Sequence, residues 1–358
     1  MILAGGLGTR LRPFTHVTPK PLLPVANRSL LEWQVRWLAG YGVDEVILAI
    51  GYQASAFAEQ VAQGRQWGVE LRHVVEQEPL GTGGAIRFAL PESAERFLVC
   101  NGDVLTDLAL GELIDLHERT AALATIALTR VEDPSAFGVV PTDADGKVEA
   151  FLEKPDPGDT ACDWVNAGTY VLEPAVLRTI PADRKVSVER EIFPGLLSRG
   201  ERLSALQSPA RWLDVGTPAN YLRANGYALS GLFGPPPGGQ TSPGVFVDGP
   251  VEVDRESTLE APVVLGPGAL AGAGAQLARS ALGPGCVVEA RSVVRDSVLH
   301  RGAHVGADCE VLWSVLGAGA RVGDRTVVVG AMIAPGELVP PGSRITGELV
   351  ESAGGRKP

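Results

Sequence analysis

The sequence predicts an α/β protein with a doubly wound sheet, followed by a smaller domain built as a parallel β-helix. Three observations carry this expectation. Short apolar runs rich in β-branched residues alternate with amphipathic segments through residues 1–229; residues 230–244 are dense in proline and glycine; beyond them aliphatic residues recur every six positions. At 358 residues the chain exceeds one ordinary domain, and a hydrophobic content of 45% supplies two cores.

The net charge of -11 arises without any basic block, which argues against nucleic acid or a membrane surface as partner. No run approaches the roughly 18 apolar residues of a membrane span, and the N-terminus lacks the basic-then-apolar form of a signal peptide. The expected location is the cytoplasm. Cys100, Cys162, Cys286 and Cys309 lie far apart without a C-x-x-C, so buried reduced thiols are expected rather than a metal site.

The chain opens on an apolar strand, Ile2, Leu3 and Ala4, followed at once by Gly5, Gly6, Gly8, Thr9 and Arg10, with Arg12 and Lys20 close behind. Strand, glycine turn and cations together can wrap a polyphosphate, because glycines let backbone N–H groups approach the oxygens and fixed charge offsets theirs. The spacing matches neither the P-loop nor the dinucleotide fingerprint, and a glycine turn after a strand also occurs with no ligand at all. Residues 29–38 form an amphipathic helix from a serine cap, and residues 45–52 an apolar strand covered on both faces. Helix 54–64, strand 71–75, a helix starting near Ala85, strand 97–100, helix 110–119 and strand 124–130 continue the alternation. Ligands of such sheets bind at the carboxyl ends of strands, which is where both the glycine turn and Asp103, of Asn101-Gly102-Asp103, fall.

The pattern GG-x-GTRL-x-P at residues 5–13, followed by KP-L-x-P at 20–24, resembles the signature of the sugar-1-phosphate nucleotidyltransferases. The resemblance continues through EQEPLGTGGA at 76–85, NGD at 101–103, FLEKP at 151–155, NAG at 166–168 and WLDVGTP at 212–218. It implies a Rossmann-like catalytic domain that binds a nucleoside triphosphate through Leu3, Ala4, Gly5, Gly6, Gly8, Thr9, Glu76, Gly81 and Thr82. It assigns Arg10 and Lys20 to the triphosphate, Lys154 to the sugar phosphate, and Gly138, Glu153, Asn166 and Gly168 to the sugar. Asp103 and Asp214 would share one Mg2+. Without the motifs, Glu76 reads as a solvated loop acid and Glu153-Lys154 as a solvated ion pair. A carboxylate at Glu76 only accepts hydrogen bonds, and guanine offers adjacent donors, so GTP is the expected nucleotide.

Residues 230–244 read as a linker and 245–346 as a hexapeptide-repeat domain, with residues 347–358 a disordered tail. Val247, Val253, Leu259, Leu265, Ala271 and Leu277 fall six apart, and after a phase shift so do Val287, Val293, Leu299, Val305 and Val311. Three hexads per turn give roughly five coils, left-handed by family resemblance. Solenoid ends need covering, so a homo-oligomer, dimer to tetramer, is expected through this domain. An acyltransferase site using His300 or His304 is the other function such a repeat allows.

The function expected is nucleotidyl transfer between an NTP and a sugar 1-phosphate. The segments at 78–85, 101–107 and 212–218 are most similar to the branch that makes GDP-mannose from GTP and mannose 1-phosphate. Thymidylyl, uridylyl or adenylyl transfer to glucose 1-phosphate are the alternatives, followed by a non-catalytic nucleotide-sugar-binding subunit. Arg10, Lys20, Asp103, Lys154 and Asp214 are all present, which a binding subunit would not need.

Overall fold

The computed structural model describes residues 1–51, 53–91, 94–156, 160, 162–182, 184–347 and 349–350. It groups them into two compact units, Met1–Leu7 with Gln34–Leu213, and Gly8–Trp33 with Asp214–Pro358.

The first unit is built on a nine-stranded sheet. Strand β1 (Ile2–Leu3) leads to helix α1 (Leu30–Gly40), whose first turn is capped as expected: Glu32 N donates to Ser29 Oγ at 3.0 Å. Strands β2 (Glu45–Ile50) and β3 (Glu70–Val75) follow, then helix α2 (Gly81–Ala89), strand β4 (Phe97–Asn101), helix α3 (Leu110–Thr120) and strands β5 (Ala124–Arg130), β6 (Trp164–Leu172) and β7 (Leu203–Gln207). Strand β2 ends at Ile50, short of the expected limit at 52, which lies outside the described residues.

Strands β1 to β4 pair in parallel in the order β4-β1-β2-β3, the winding that the alternation predicts. Beyond β4 the sheet changes character, because β6 runs antiparallel to both β4 and β5. The sheet is therefore mixed. Residues of β5 alternate nowhere between buried and exposed from Ala124 to Thr129, as expected for a strand with both faces covered, and Tyr170, Phe193 and Leu203 fill the core against it.

In the second unit the polypeptide winds into a parallel β-solenoid. Its ladder steps from Val247 to Leu265, Leu282, Leu299, Leu316, Ile333 and Val350, about six turns rather than five. After the first turn each rung is 17 residues, seen where Ser314 N donates to Ser297 Oγ one coil below. Two six-residue sides and one of five make such a coil, so a strict hexad slips once per turn. For that reason Val288 and Val294, not the expected Val287 and Val293, point into the core with Leu299, Val305 and Val311. Ser280, Ser297 and Ser314 stack as a buried column in which each hydroxyl accepts from the backbone N–H of the next rung.

Two boundaries differ from expectation. Residues Gly239–Ser242, inside the expected linker, form a strand against Val245–Val247. Leu349–Val350, inside the expected disordered tail, pairs with Met332–Ile333; residues 351–358 lie outside those described. Cys100, Cys286 and Cys309 are buried free thiols as expected, whereas Cys162 is half-buried. Burial pushes the thiols of Cys100 and Cys286 up to about 11 and about 12, which keeps them protonated and unreactive. Among the described residues no helix is long and apolar enough to cross a membrane.

Candidate active site

Three residues expected to meet phosphate or metal come together in the second unit. Asp214 Oδ2 accepts from Arg10 Nη2 at 3.3 Å, and Asp214 Oδ1 lies 3.6 Å from Lys20 Nζ. The three differ in exposure. Arg10 reaches into solvent with 61% of its side chain accessible, whereas Lys20 retains 8% and Asp214 16%. A buried ammonium and a projecting guanidinium on one carboxylate form a local cationic surface suited to an anion.

Local backbone geometry makes this possible. Gly8 adopts φ +58°, and a Cβ there would lie 2.9 Å from Thr15 Cγ2 and 3.1 Å from Lys20 Cβ. Only glycine lets the turn close on Lys20. Thr15 Oγ1 donates to the Gly8 carbonyl at 3.0 Å, leaving Thr9 and Arg10 exposed at the tip. Gly216 is equally constrained, since a Cβ would sit 2.7 Å from Asp214 Oδ1.

Among the described residues the buried Asp214 Oδ1 makes no hydrogen bond, with Lys20 Nζ standing off at 3.6 Å, and a bound cation would satisfy it. Among the described residues no group of three or more His, Cys, Asp or Glu side chains is arranged to hold a metal. Any cation here would thus take one or two carboxylates and fill its sphere with substrate and water oxygens, the donor set that suits magnesium.

In the first unit, Asp103 follows the end of β4 in a turn fixed from both sides. Gly102 N donates to the Leu3 carbonyl at 2.9 Å, and Gln34 Nε2 donates to the carbonyls of Asn101 and Val104 at 2.7 and 2.8 Å. This brackets Asp103 beside the end of β1, where Leu3, Ala4, Gly5 and Gly6 lie. Glu76 is not the solvated acid of the alternative reading. It is 8% exposed, its Oε2 accepts from Leu80 N at 2.9 Å, and its Oε1 would stand 3.4 Å from a Cβ on Gly5. Gly81 opens α2 at φ +73° against the Val186 carbonyl, and Thr82 Oγ1 donates to Glu189 Oε2 at 2.6 Å.

Two of the expected sugar residues, Asn166 and Gly168, join the same network. Asn166 Oδ1 accepts from Gly168 N at 2.9 Å, and its Nδ2 donates to Tyr170 Oη at 2.7 Å. Tyr170 Oη in turn approaches Glu189 Oε1 at 3.4 Å. Gly168, at φ +72°, lets the Asn101 side chain pack on its backbone, and Gly138 does the same for Glu153, whose Oε2 would stand 2.9 Å from a Cβ there. Desolvation, then the charge of Glu189, raises Glu153 above the ordinary glutamate value. Lys154 is exposed, at φ +53°, and its N–H donates to the Phe137 carbonyl at 2.9 Å.

Glu189 was not legible in the sequence, where it sits in the mixed-charge stretch Glu189-Arg190-Glu191; the only signal is Ser187, whose hydroxyl accepts from Arg190 N and starts a helical turn. The acyltransferase candidates fare differently. His300 is 6% exposed with its Nε2 2.8 Å from Tyr221 Oη, and His304 is held by Glu289 at 2.9 Å. Burial lowers His300 to about 4, so it is neutral and enclosed rather than a surface base.

Comparison with known proteins bears on both halves. A family model described as nucleotidyl transferase matches residues 1–231, and one described as GMPPB C-terminal domain matches residues 241–340. The chain is 38% identical over 273 residues to a mannose-1-phosphate guanylyltransferase of Mycobacterium tuberculosis, covering 72% of this chain and 76% of that one. It is 39% identical over 264 residues to a mannose-1-phosphate guanylyltransferase catalytic subunit beta of Drosophila pseudoobscura pseudoobscura, covering 72% and 70%. A crystal structure of HddC from Yersinia pseudotuberculosis complexed with GMP-PN superposes with a TM-score of 0.53 at 29% identity, covering 63% of this chain and 96% of that one.

Proposed function

Because the chain belongs to the nucleotidyl transferase family, we propose that it transfers guanylyl from GTP to mannose 1-phosphate, giving GDP-mannose and pyrophosphate. The observation that carries the chemistry is the Arg10–Lys20–Asp214 cluster at the glycine turn. The relatives named above supply the choice of base and sugar.

A phosphate oxygen of the sugar 1-phosphate attacks the α-phosphorus in line and pyrophosphate departs. The nucleophile is already anionic, so no general base is needed; the barrier is the mutual repulsion of two anions and the entropy of aligning them. Arg10 and Lys20 neutralise the triphosphate, and Lys154 draws in the sugar phosphate. Glu153, Asn166 and Gly168 hold the sugar, with Gly138 giving it room. A divalent cation, magnesium in this reading, would be held by Asp103 and Asp214 and would supply neutralisation where charge develops. The nucleotide rests on Leu3 to Gly6, Gly8 and Thr9, with Glu76, Gly81 and Thr82 facing its base. The buried carboxylate of Glu76 suits the adjacent N–H donors of guanine. The enzyme works in the cytoplasm, as a homo-oligomer joined through its solenoid.

Pyrophosphate release tests the assignment. With GTP, UTP, TTP or ATP paired with mannose or glucose 1-phosphate, GTP with mannose 1-phosphate is expected to give the highest kcat/KM. A higher value for a pyrimidine or adenine nucleotide with glucose 1-phosphate would overturn it.

A further inference from the structure

Buried polar bonds tie the segment carrying Lys20 to the solenoid within the second unit. Tyr221, on helix α4 (Pro218–Leu229), donates its hydroxyl proton to the Pro24 carbonyl and accepts from His300 Nε2 at 2.8 Å. The imidazole of His300 also packs on the ring of Phe14, with centroids 5.2 Å apart. Tyr221 is 1% exposed, Phe14 2% and His300 6%. One solenoid side chain therefore meets both flanks of the loop, directly at Phe14 and through Tyr221 at Pro24.

Lys20 lies between these two points. Phe14 adjoins Thr15, whose hydroxyl holds the Gly8 carbonyl, and Leu23 N closes the turn from the Lys20 carbonyl at 3.1 Å. Two neighbouring ties strengthen the same side: Ala26 N donates to Asn225 Oδ1 at 2.8 Å, and Asn27 Nδ2 donates to the Leu282 carbonyl of the solenoid at 2.6 Å. An ordinary core would fill this space with apolar groups. A His–Tyr–carbonyl chain instead fixes direction, since each bond has one donor and one acceptor and an unmade one is costly when buried.

We propose that His300 and Tyr221 are positioning residues: the solenoid imidazole, acting through the helix hydroxyl, sets the loop that presents Lys20 to the triphosphate. The inference rests on the role given to Lys20 above. It makes the solenoid part of the catalytic apparatus rather than only a platform for assembly. A misplacement of about 1 Å at such a group can cost on the order of a hundredfold in rate.

The test is a double-mutant cycle on the full chain with GTP and mannose 1-phosphate. Tyr221→Phe is expected to lower kcat about ten- to a hundredfold while leaving KM for mannose 1-phosphate unchanged. In a Lys20→Ala background the same change should alter kcat by less than about twofold, because the group it positions is gone. His300→Gln, which keeps a donor, should retain more activity than His300→Leu. Wild-type kcat in folded Tyr221→Phe would overturn the proposal, as would an equal fold-loss with and without Lys20. If Lys20→Ala alone leaves turnover intact, the role of Lys20 fails and this inference with it. Should the His300 variants not fold, the Tyr221–Lys20 cycle decides alone.

Discussion

Glu153 shows what one residue's surroundings can do. Its carboxyl is raised first by desolvation and then by Glu189, with Arg190 Nη2 at 3.9 Å and Lys154 opposing the shift. In the role proposed for it, accepting from sugar hydroxyls, the ionised carboxylate is the stronger acceptor. KM for mannose 1-phosphate is therefore expected to rise as pH falls through a value above the ordinary glutamate pKa of about 4.3. Glu153→Gln should lose this pH dependence and bind sugar phosphate more weakly at neutral pH. The sign for stability is opposite. A carboxyl whose folded pKa is raised costs stability as pH climbs from its unfolded value through its folded one, so Glu153→Gln should melt no lower than wild type at neutral pH. A melting temperature well below wild type would contradict this. Glu153 was legible because its motif lies within a few residues. Glu189 was not, because its partners Thr82 and Tyr170 are distant in the chain and no local pattern joins them.

At the scale of elements, the alternation of strand and helix located β1 to β5 and α1 to α3 with their ends within two residues, except that α2 starts at Gly81 rather than near Ala85. Apolar periodicity is a direct record of which faces are covered, and it survives wherever burial is regular. The antiparallel placement of β6 was not legible, since strand direction depends on partners that periodicity does not name. The solenoid shows the same limit. A six-residue period is visible, yet the five-residue side that shortens each coil to 17 is visible only as a slip in phase. The buried column Ser280, Ser297 and Ser314 looks polar in sequence and reads as surface until the rungs are stacked. Each rung contacts only its neighbours, so a core truncation should act locally. Leu299→Ala, removing a fully buried side chain mid-stack, is expected to cost about 2–5 kcal/mol in denaturant unfolding. A loss under about 1 kcal/mol would show that the solenoid core is not packed as described.

For the whole molecule, composition divides the chain near residue 230, whereas contacts place Gly8–Trp33 with Asp214–Pro358. The difference has a plain cause. Tyr221 to Pro24, Asn225 to Ala26 and Asn27 to Leu282 are bonds between residues roughly two hundred apart or more, and no reading in chain order reveals them. Lys20 and Asp214 are likewise 194 positions apart, and only motif resemblance paired them in the sequence, whereas in the structure Lys20 Nζ stands 3.6 Å from Asp214 Oδ1.

The most direct measurement is the turnover of Asp214→Asn with GTP, mannose 1-phosphate and magnesium, read as pyrophosphate release beside a thermal melt. The substitution keeps the size of the side chain but removes the charge that meets Arg10 and Lys20. A folded variant with turnover lowered about a hundred- to a thousandfold is the expected result. Turnover near that of the wild type in a folded variant would contradict the assignment of the cluster to catalysis.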